Sequence, residues 1–128
     1  MIQEAYVSFE TAKLLKEKGF DENTLMVYMS YGDLCKCNRY DSIRNSNYND
    51  ITKNYFECTA PTHQMAMKWL REVHNIDICV FPYQADYISY SYKVKIYKNK
   101  EIYLTITDSK TYEDAVEAAL KYCLNNLI

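Results

Sequence analysis

Apolar residues recur at helical spacing near both ends of the chain. The segment FETAKLLKEK follows Ser8, which predicts a helix with Ser8 as its N-cap and Gly19 in a left-handed position after its last turn. A second amphipathic segment begins near Thr111, where Asp114 three residues later resembles a capping box. Its apolar stripe predicts a helix that buries Ala115, Val116, Ala119, Leu120, Cys123 and Leu127.

The stretch APTHQMAMKWLREVHN, residues 60–75, predicts a third helix whose first turn contains Pro61. One face carries a broad apolar arc, and three residues lie at its rim: His63, Met67 and His74. The arc consists of Met65, Ala66, Trp69, Leu70 and Val73. The two histidines are eleven residues apart, or about 16 Å along a helix, so they cannot share a metal ion. We interpret this stretch as a buried stripe.

Four segments show the alternation or composition of β-strands. TLMVYMSY is the first, and IDICVF is the second, which Pro82 either ends or marks as an edge strand. ISYSYKVKIY is the clearest, since its residues alternate between an apolar face and a face with Ser89, Ser91, Lys93 and Lys95. The apolar face would consist of Ile88, Tyr90, Tyr92, Val94 and Ile96 in this strand and Ile102, Leu104 and Ile106 in EIYLTIT.

The hairpin between the last two strands is predicted from the parity of its loop. A loop of three residues, 98–100, would place Ile96 opposite Ile102 and so keep inner residues together. It would also pair Val94 with Leu104 and Tyr92 with Ile106. A loop of two residues would mix the two faces, so the sequence favours the longer loop.

The order of these elements predicts an α+β fold with two layers. An antiparallel sheet of three to four strands would carry three helices on one face. We expect residues 1–128 to form a single domain. The polar segment 33–57 either contains a short strand around ITKNYFEC or forms a mobile loop or insertion.

Composition indicates a folded protein, with 48% hydrophobic residues and a formal net charge of −2. This slight acidity argues against a surface dominated by basic residues that bind phosphate. Apolar runs stay well short of the about 20 residues needed to span a bilayer, and MIQEAYVSFE lacks the features of a signal peptide. We therefore expect a cytoplasmic protein.

The chain has an odd number of cysteines, which predicts free thiols in a reducing compartment. The five are Cys35, Cys37, Cys58, Cys79 and Cys123. Cys35 and Cys37, together with Cys58 and His63, are residue types that bind zinc. However, only one residue separates Cys35 from Cys37, which is fewer than the two to four residues between the first two ligands of common zinc sites. Cys58 and His63 also flank the start of the middle helix, a weak indication of a thiol nucleophile.

Other catalytic and cofactor signals are weaker still. Gly19 and Gly32 are the only glycines, which excludes a glycine-rich phosphate loop. Acidic residues near the last helix are typical of charges at a helix start: Asp108, Glu113 and Asp114. The sequence thus predicts no catalytic residue, no cofactor and no metal site.

The order helix, three strands, helix between Thr59 and Leu127 is similar to that of the double-stranded RNA-binding domain. TYEDAVEAALKYCLNNL looks like the last helix of that domain. The family binds phosphates through lysines at the start of this helix. Here the start is acidic, with Lys110 alone on the favourable side, so the resemblance implies the topology without the phosphate-binding lysines.

The outer face of the predicted sheet is the candidate binding surface, and it would carry Phe81, Tyr83, Lys93, Lys95, Tyr97 and Tyr103. Lys95 would lie opposite Tyr103. Aromatic rings with lysines on an open sheet can stack bases and hold a nucleic-acid backbone. They can equally receive a protein partner or a second copy of the chain, or stabilise a wet sheet through cross-strand pairs.

Three longer segments resemble a family of small uncharacterised proteins from gut Bacteroides and from their phages and mobile elements. They are VSFETAKLLKEKGFDE, CTAPTHQMAMKWLREVHNIDICVFPY and YEDAVEAALKYCLNNLI. The resemblance implies an intracellular accessory protein of phage or mobile-element origin, without catalytic residues. Our main expectation is a non-enzymatic protein-interaction domain that binds a protein partner or itself. The alternative is a nucleic-acid-binding module that uses the outer sheet face.

Overall fold

The computed structural model of the chain describes residues 1–37, 42–46, 56–84, 86–87 and 90–128, with the backbone alone for 103–108. Its α+β fold, with antiparallel sheets and three helices, is as predicted. The elements are α1 (Phe9–Glu17), β1 (Met26–Met29), β2 (Leu34–Lys36), β3 (Phe56–Thr59), α2 (His63–His74), β4 (Ile76–Gln84), β5 (Tyr90–Lys98), β6 (Glu101–Ser109) and α3 (Tyr112–Asn126).

The described strands form two three-stranded antiparallel sheets, ordered β2–β1–β3 and β4–β5–β6. The chain divides into two compact units, Met1–Thr62 and His63–Ile128, each with one of these sheets. The expectation of a single domain over residues 1–128 stays a prediction. Among the described helices, none is long and apolar enough to cross a membrane.

Local hydrogen bonds fix both ends of α1 as predicted. The Ser8 hydroxyl accepts from the Thr11 amide at 3.2 Å. At the other end Gly19 has a φ of +96°, which a glycine adopts without steric cost. The Phe20 amide donates to the Leu15 carbonyl at 2.9 Å and the Gly19 amide to the Lys16 carbonyl at 3.1 Å. This pair of bonds is the Schellman motif.

A buried asparagine links β3 to the segment that follows α1 in the first unit. The Asn45 side-chain amide donates to the Phe20 carbonyl at 2.7 Å, and its side-chain oxygen accepts from the Thr59 amide at 2.9 Å. The strand predicted near ITKNYFEC is present as β3, whose Phe56 is buried against Val27 and Ile43. The predicted loop or insertion 33–57 also contains β2, and its residues 38–41 and 47–55 lie outside the described residues.

In the second unit, α2 and α3 cover one face of the sheet β4–β5–β6. That face buries Ile76, Val94 and Ile96 completely. The order helix, three strands, helix predicted for this half is confirmed. Thr111 caps α3 by accepting from the Asp114 amide at 3.0 Å, and the predicted stripe of α3 is buried: Ala115, Val116, Ala119, Leu120, Cys123 and Leu127. Pro82 lies inside β4, which is an edge strand.

The buried face of α2 is rotated relative to the predicted arc. Val73 is 58% exposed, whereas His63 and Met67, predicted at the rim, are buried. The reason is that α2 packs against α3 as well as against β4, so its contact face turns toward His63. Tyr90 is also 62% exposed, because it lies opposite Gln84 at the loop end of the β4–β5 hairpin. Ile88 and Ser89 lie outside the described residues.

The prediction of a three-residue hairpin loop is wrong. Lys98 pairs with Glu101, so the loop consists of Asn99 and Lys100. Both have positive φ, 54° and 68°, as a type I′ turn requires. The register then shifts by one residue: Tyr97 pairs with Ile102, but Ile96 pairs with Leu104 and Val94 with Ile106. This β-bulge again pairs predicted inner residues with each other after the short loop. The prediction compared loop lengths only and did not include a bulge.

Candidate functional site

The candidate site is the face of β4 and β5 that points away from α2 and α3, here called the outer face. Side chains alternate along a strand, so the residues next to the buried Val94 and Ile96 point outward. The register pairs Phe81 with Lys93 and Cys79 with Lys95 directly. The outer face is made by Asp77, Cys79, Phe81, Tyr83, Ser91, Lys93, Lys95 and Tyr97.

Both lysines of the outer face lie over aromatic rings. The Lys93 Nζ is 3.6 Å from the centroid of the Tyr83 ring, and the Lys95 Nζ is 5.5 Å from that of Phe81. Each lysine thus reaches the diagonal neighbour on β4, two residues beyond the one it pairs with. Cation–π contacts of this kind stabilise an exposed pair by about 0.5–1 kcal/mol. They also hold both ammonium groups in place.

The structure therefore brings together five of the six residues predicted for this surface, namely Phe81, Tyr83, Lys93, Lys95 and Tyr97. The side chain of Tyr103 lies outside the described residues. The predicted pairing of Lys95 with Tyr103 is wrong, since Lys95 lies opposite Thr105. The two-residue loop and the register shift after Ile102 each move the pairing by one residue.

Two exposed residues of this surface were missed by the sequence reasoning. Cys79 is exposed and lies two residues before Phe81 in β4, so the alternation of the strand already predicts that the two share a face. Ile102 is 64% exposed and pairs with Tyr97, although the pattern had placed it on the inner face. The two-residue turn with its bulge moves Ile102 to the outer side, and neither feature is visible in the hydrophobic pattern.

Neither histidine forms part of this surface. His63 is buried, and its Nε2 lies 2.9 Å from Glu117 Oε1. His74 packs edge-on against Trp69, with ring centroids 4.8 Å apart. Burial, with the positive charge of Lys98 as a second cause, holds the pKa of His74 below its usual value. His63 therefore makes a buried polar contact with α3 and His74 packs on Trp69, which agrees with the interpretation of this stretch as a buried stripe.

Burial and strand geometry do not favour a reactive thiol at Cys58 or a zinc site that joins it to Cys35. Burial raises the pKa of the Cys58 thiol to about 12, which is the opposite of what a thiol nucleophile needs. Cys35 pairs with Val27, whereas Cys58 pairs with the next residue, Tyr28. The two thiols consequently belong to opposite faces of the sheet. Within the described ranges, no group of three or more Cys, His, Asp or Glu side chains could hold a metal ion.

Comparison of the chain with protein-family models, with curated proteins and with solved structures finds no match. Inferences about function therefore rest on the residues of the chain itself, and the outer face combines aromatic, aliphatic and cationic side chains that are at least partly accessible.

Proposed function

We propose that the protein is a non-enzymatic, cytoplasmic interaction domain that binds a protein partner through the outer face. The observation that carries the proposal is the pair of lysine–ring contacts, Lys93 with Tyr83 and Lys95 with Phe81. They lie on a sheet whose other side is the core of the unit. The proposal includes an accessory role in a phage or mobile element, as the family resemblance implies.

Physical chemistry supports this surface as a binding face. Aromatic side chains are enriched at protein interfaces because they bury a large area at little cost in conformational entropy. Tyr83 is 40% exposed, so a partner could still bury a large part of its side chain. Because the cation–π contacts already order the lysines, a partner would lose less side-chain entropy on binding.

Site-specific photo-crosslinking tests the proposal. A benzoylphenylalanine at position 83 should cross-link to a protein in cells that encode this chain, whereas one at position 31 should not. Tyr31 is a matched control, since it is 67% exposed and lies in the first unit. With the cross-linked protein purified, Tyr83→Ser should weaken binding at least tenfold, or about 1.4 kcal/mol, and Tyr31→Ser should leave it unchanged. Equal effects of the two substitutions would refute the proposal.

A nucleic-acid-binding module is the second candidate. The lysines beside aromatic rings on an open sheet support it, because such surfaces hold single-stranded backbones and stack bases. Titration with labelled single- and double-stranded nucleic acid over a salt series tests it, since affinity from phosphate contacts must fall as salt rises. Absence of salt-dependent binding would remove this candidate.

A further inference from the structure

We infer that the partner segment that binds the outer face is acidic, with carboxylates that pair with Lys93 and Lys95. This inference rests on the proposed function and names the chemistry of its ligand. It follows from where the charges of the outer face lie and from the direction in which the two lysines point.

The charges of the outer face are unbalanced. Its lysines, Lys93 and Lys95, lie in the middle of β5, and its one acidic residue, Asp77, lies opposite Tyr97 near the end of the hairpin. Lys95 pairs with Cys79, so Asp77 and Phe81 are its two diagonal neighbours on β4. The Lys95 ammonium lies over Phe81, which is the neighbour on the side away from Asp77. Asp77 therefore does not form an ion pair with Lys95, the nearest lysine of the outer face.

Lys93 points in the same direction along the sheet. It pairs with Phe81 but reaches the next outward residue of β4, Tyr83. Among residues whose side chains are described, no carboxylate lies within 4.0 Å of either ammonium group. Both oriented cations thus lack a counter-ion among the described side chains of this aromatic surface, and an acidic ligand would supply one.

The spacing of the lysines defines the ligand further. Two residues apart on one strand face, their attachment points are about 6.6 Å from each other. An extended segment with carboxylates at alternate positions has the same spacing. Apolar or aromatic side chains of such a segment would pack on the exposed side chains of Cys79 and Ile102 at this surface.

Charge also distinguishes this ligand from the other two considered. A second copy of the chain would place four lysines against two aspartates across a face-to-face contact, which is a repulsive arrangement. A nucleic acid would meet rings on which an ammonium group already occupies one face. A short acidic segment needs only the two local cations.

The test uses the full chain and defined polymers. A random copolymer of glutamate and tyrosine, polyglutamate, and oligo-dT are each titrated at 25 and 200 mM salt. We expect the glutamate–tyrosine copolymer to bind most tightly, with affinity that falls as salt rises. Lys93→Gln combined with Lys95→Gln should weaken this binding at least tenfold, and arginine at both positions should retain it. Circular dichroism and thermal unfolding establish that each variant is folded.

The matched control is Lys68→Gln combined with Lys110→Gln, which removes the same charge from exposed positions on α2 and before α3. Equal weakening by the two double variants would overturn the inference, as would failure of every acidic polymer to bind at low salt. Preferred binding of oligo-dT, or a dimer in sedimentation that the outer-face double variant abolishes, would also overturn it. If a protein cross-links at position 83 but binds the outer-face double variant with unchanged affinity, this inference is overturned and the proposed function stands.

Discussion

His63 Nε2 and Glu117 Oε1 lie 2.9 Å apart and join the first residue of α2 to the middle of α3. The side chain of His63 is 6% exposed and that of Glu117 is 21% exposed. The helical pattern predicts His63 at the rim of the apolar arc of α2, whereas the structure buries it in a contact with α3. Histidine Nδ1, also buried, has no hydrogen-bond partner within the described part of the chain.

Removal of the carboxylate should therefore destabilise the second unit. We expect Glu117→Ala to lower the free energy of unfolding by about 1–3 kcal/mol, because it leaves the buried His63 ring without its partner. Glu117→Gln keeps an acceptor and should cost less. Urea unfolding followed by the fluorescence of Trp69, on the same helix as His63, measures both. Glu72→Ala, at a carboxylate 64% exposed, is the control; a loss as large there would contradict the expectation.

His74 should make the protein less stable toward acid. Its pKa is lowered in the folded state, by burial first and by Lys98 second, so the unfolded chain takes up this proton at a higher pH than the folded chain. Its contribution to stability is complete above the unfolded pKa of about 6.5 and is lost as the pH falls through that value toward the folded pKa. His74→Gln should flatten this part of the pH dependence in urea unfolding at several pH values. An unchanged profile would contradict the assignment to His74.

The turn between β5 and β6 offers a stabilising substitution. Lys100 has a φ of 68°, a conformation that costs a residue with a Cβ about 1 kcal/mol or more. Lys100→Gly should raise the free energy of unfolding by about 0.5–1 kcal/mol. Glu101→Gly, one residue later in extended backbone, should instead destabilise, because glycine there only adds freedom to the unfolded chain. Destabilisation by both glycines would show that the turn is of another type.

The cysteines should differ strongly in their rates of alkylation. Cys79 is exposed, whereas burial raises the pKa of both Cys58 and Cys123 to about 12. Since the thiolate is the reactive form, iodoacetamide at pH 7.5 should modify Cys79 rapidly and leave the two buried thiols unmodified until the chain unfolds. Peptide mass spectrometry over time measures this order. Rapid modification of Cys58 in the folded protein would restore the case for a reactive thiol.

Alternation predicted most of the candidate site because it depends on geometry within a single strand. Phe81 and Tyr83, like Lys93 and Lys95, share a face as soon as β4 and β5 are strands, and the structure adds the ring that each ammonium group reaches. Ile102 could not be placed this way. Its pairing with Tyr97 depends on the two-residue turn, and the bulge that follows restores parity; neither feature leaves a mark in the hydrophobic pattern.

Features that depend on a few neighbouring residues follow from the amino-acid sequence alone. These are the Ser8 and Thr111 caps, the glycine at the end of α1, and the period of each helix and strand, since each depends on local hydrogen bonds and side-chain direction. Tertiary structure decided what depends on a distant neighbour. The rotation of α2 and the pairing of His63 with Glu117 arise because helices and strands far apart in the chain compete to bury the same surfaces, and this competition has no sequence period.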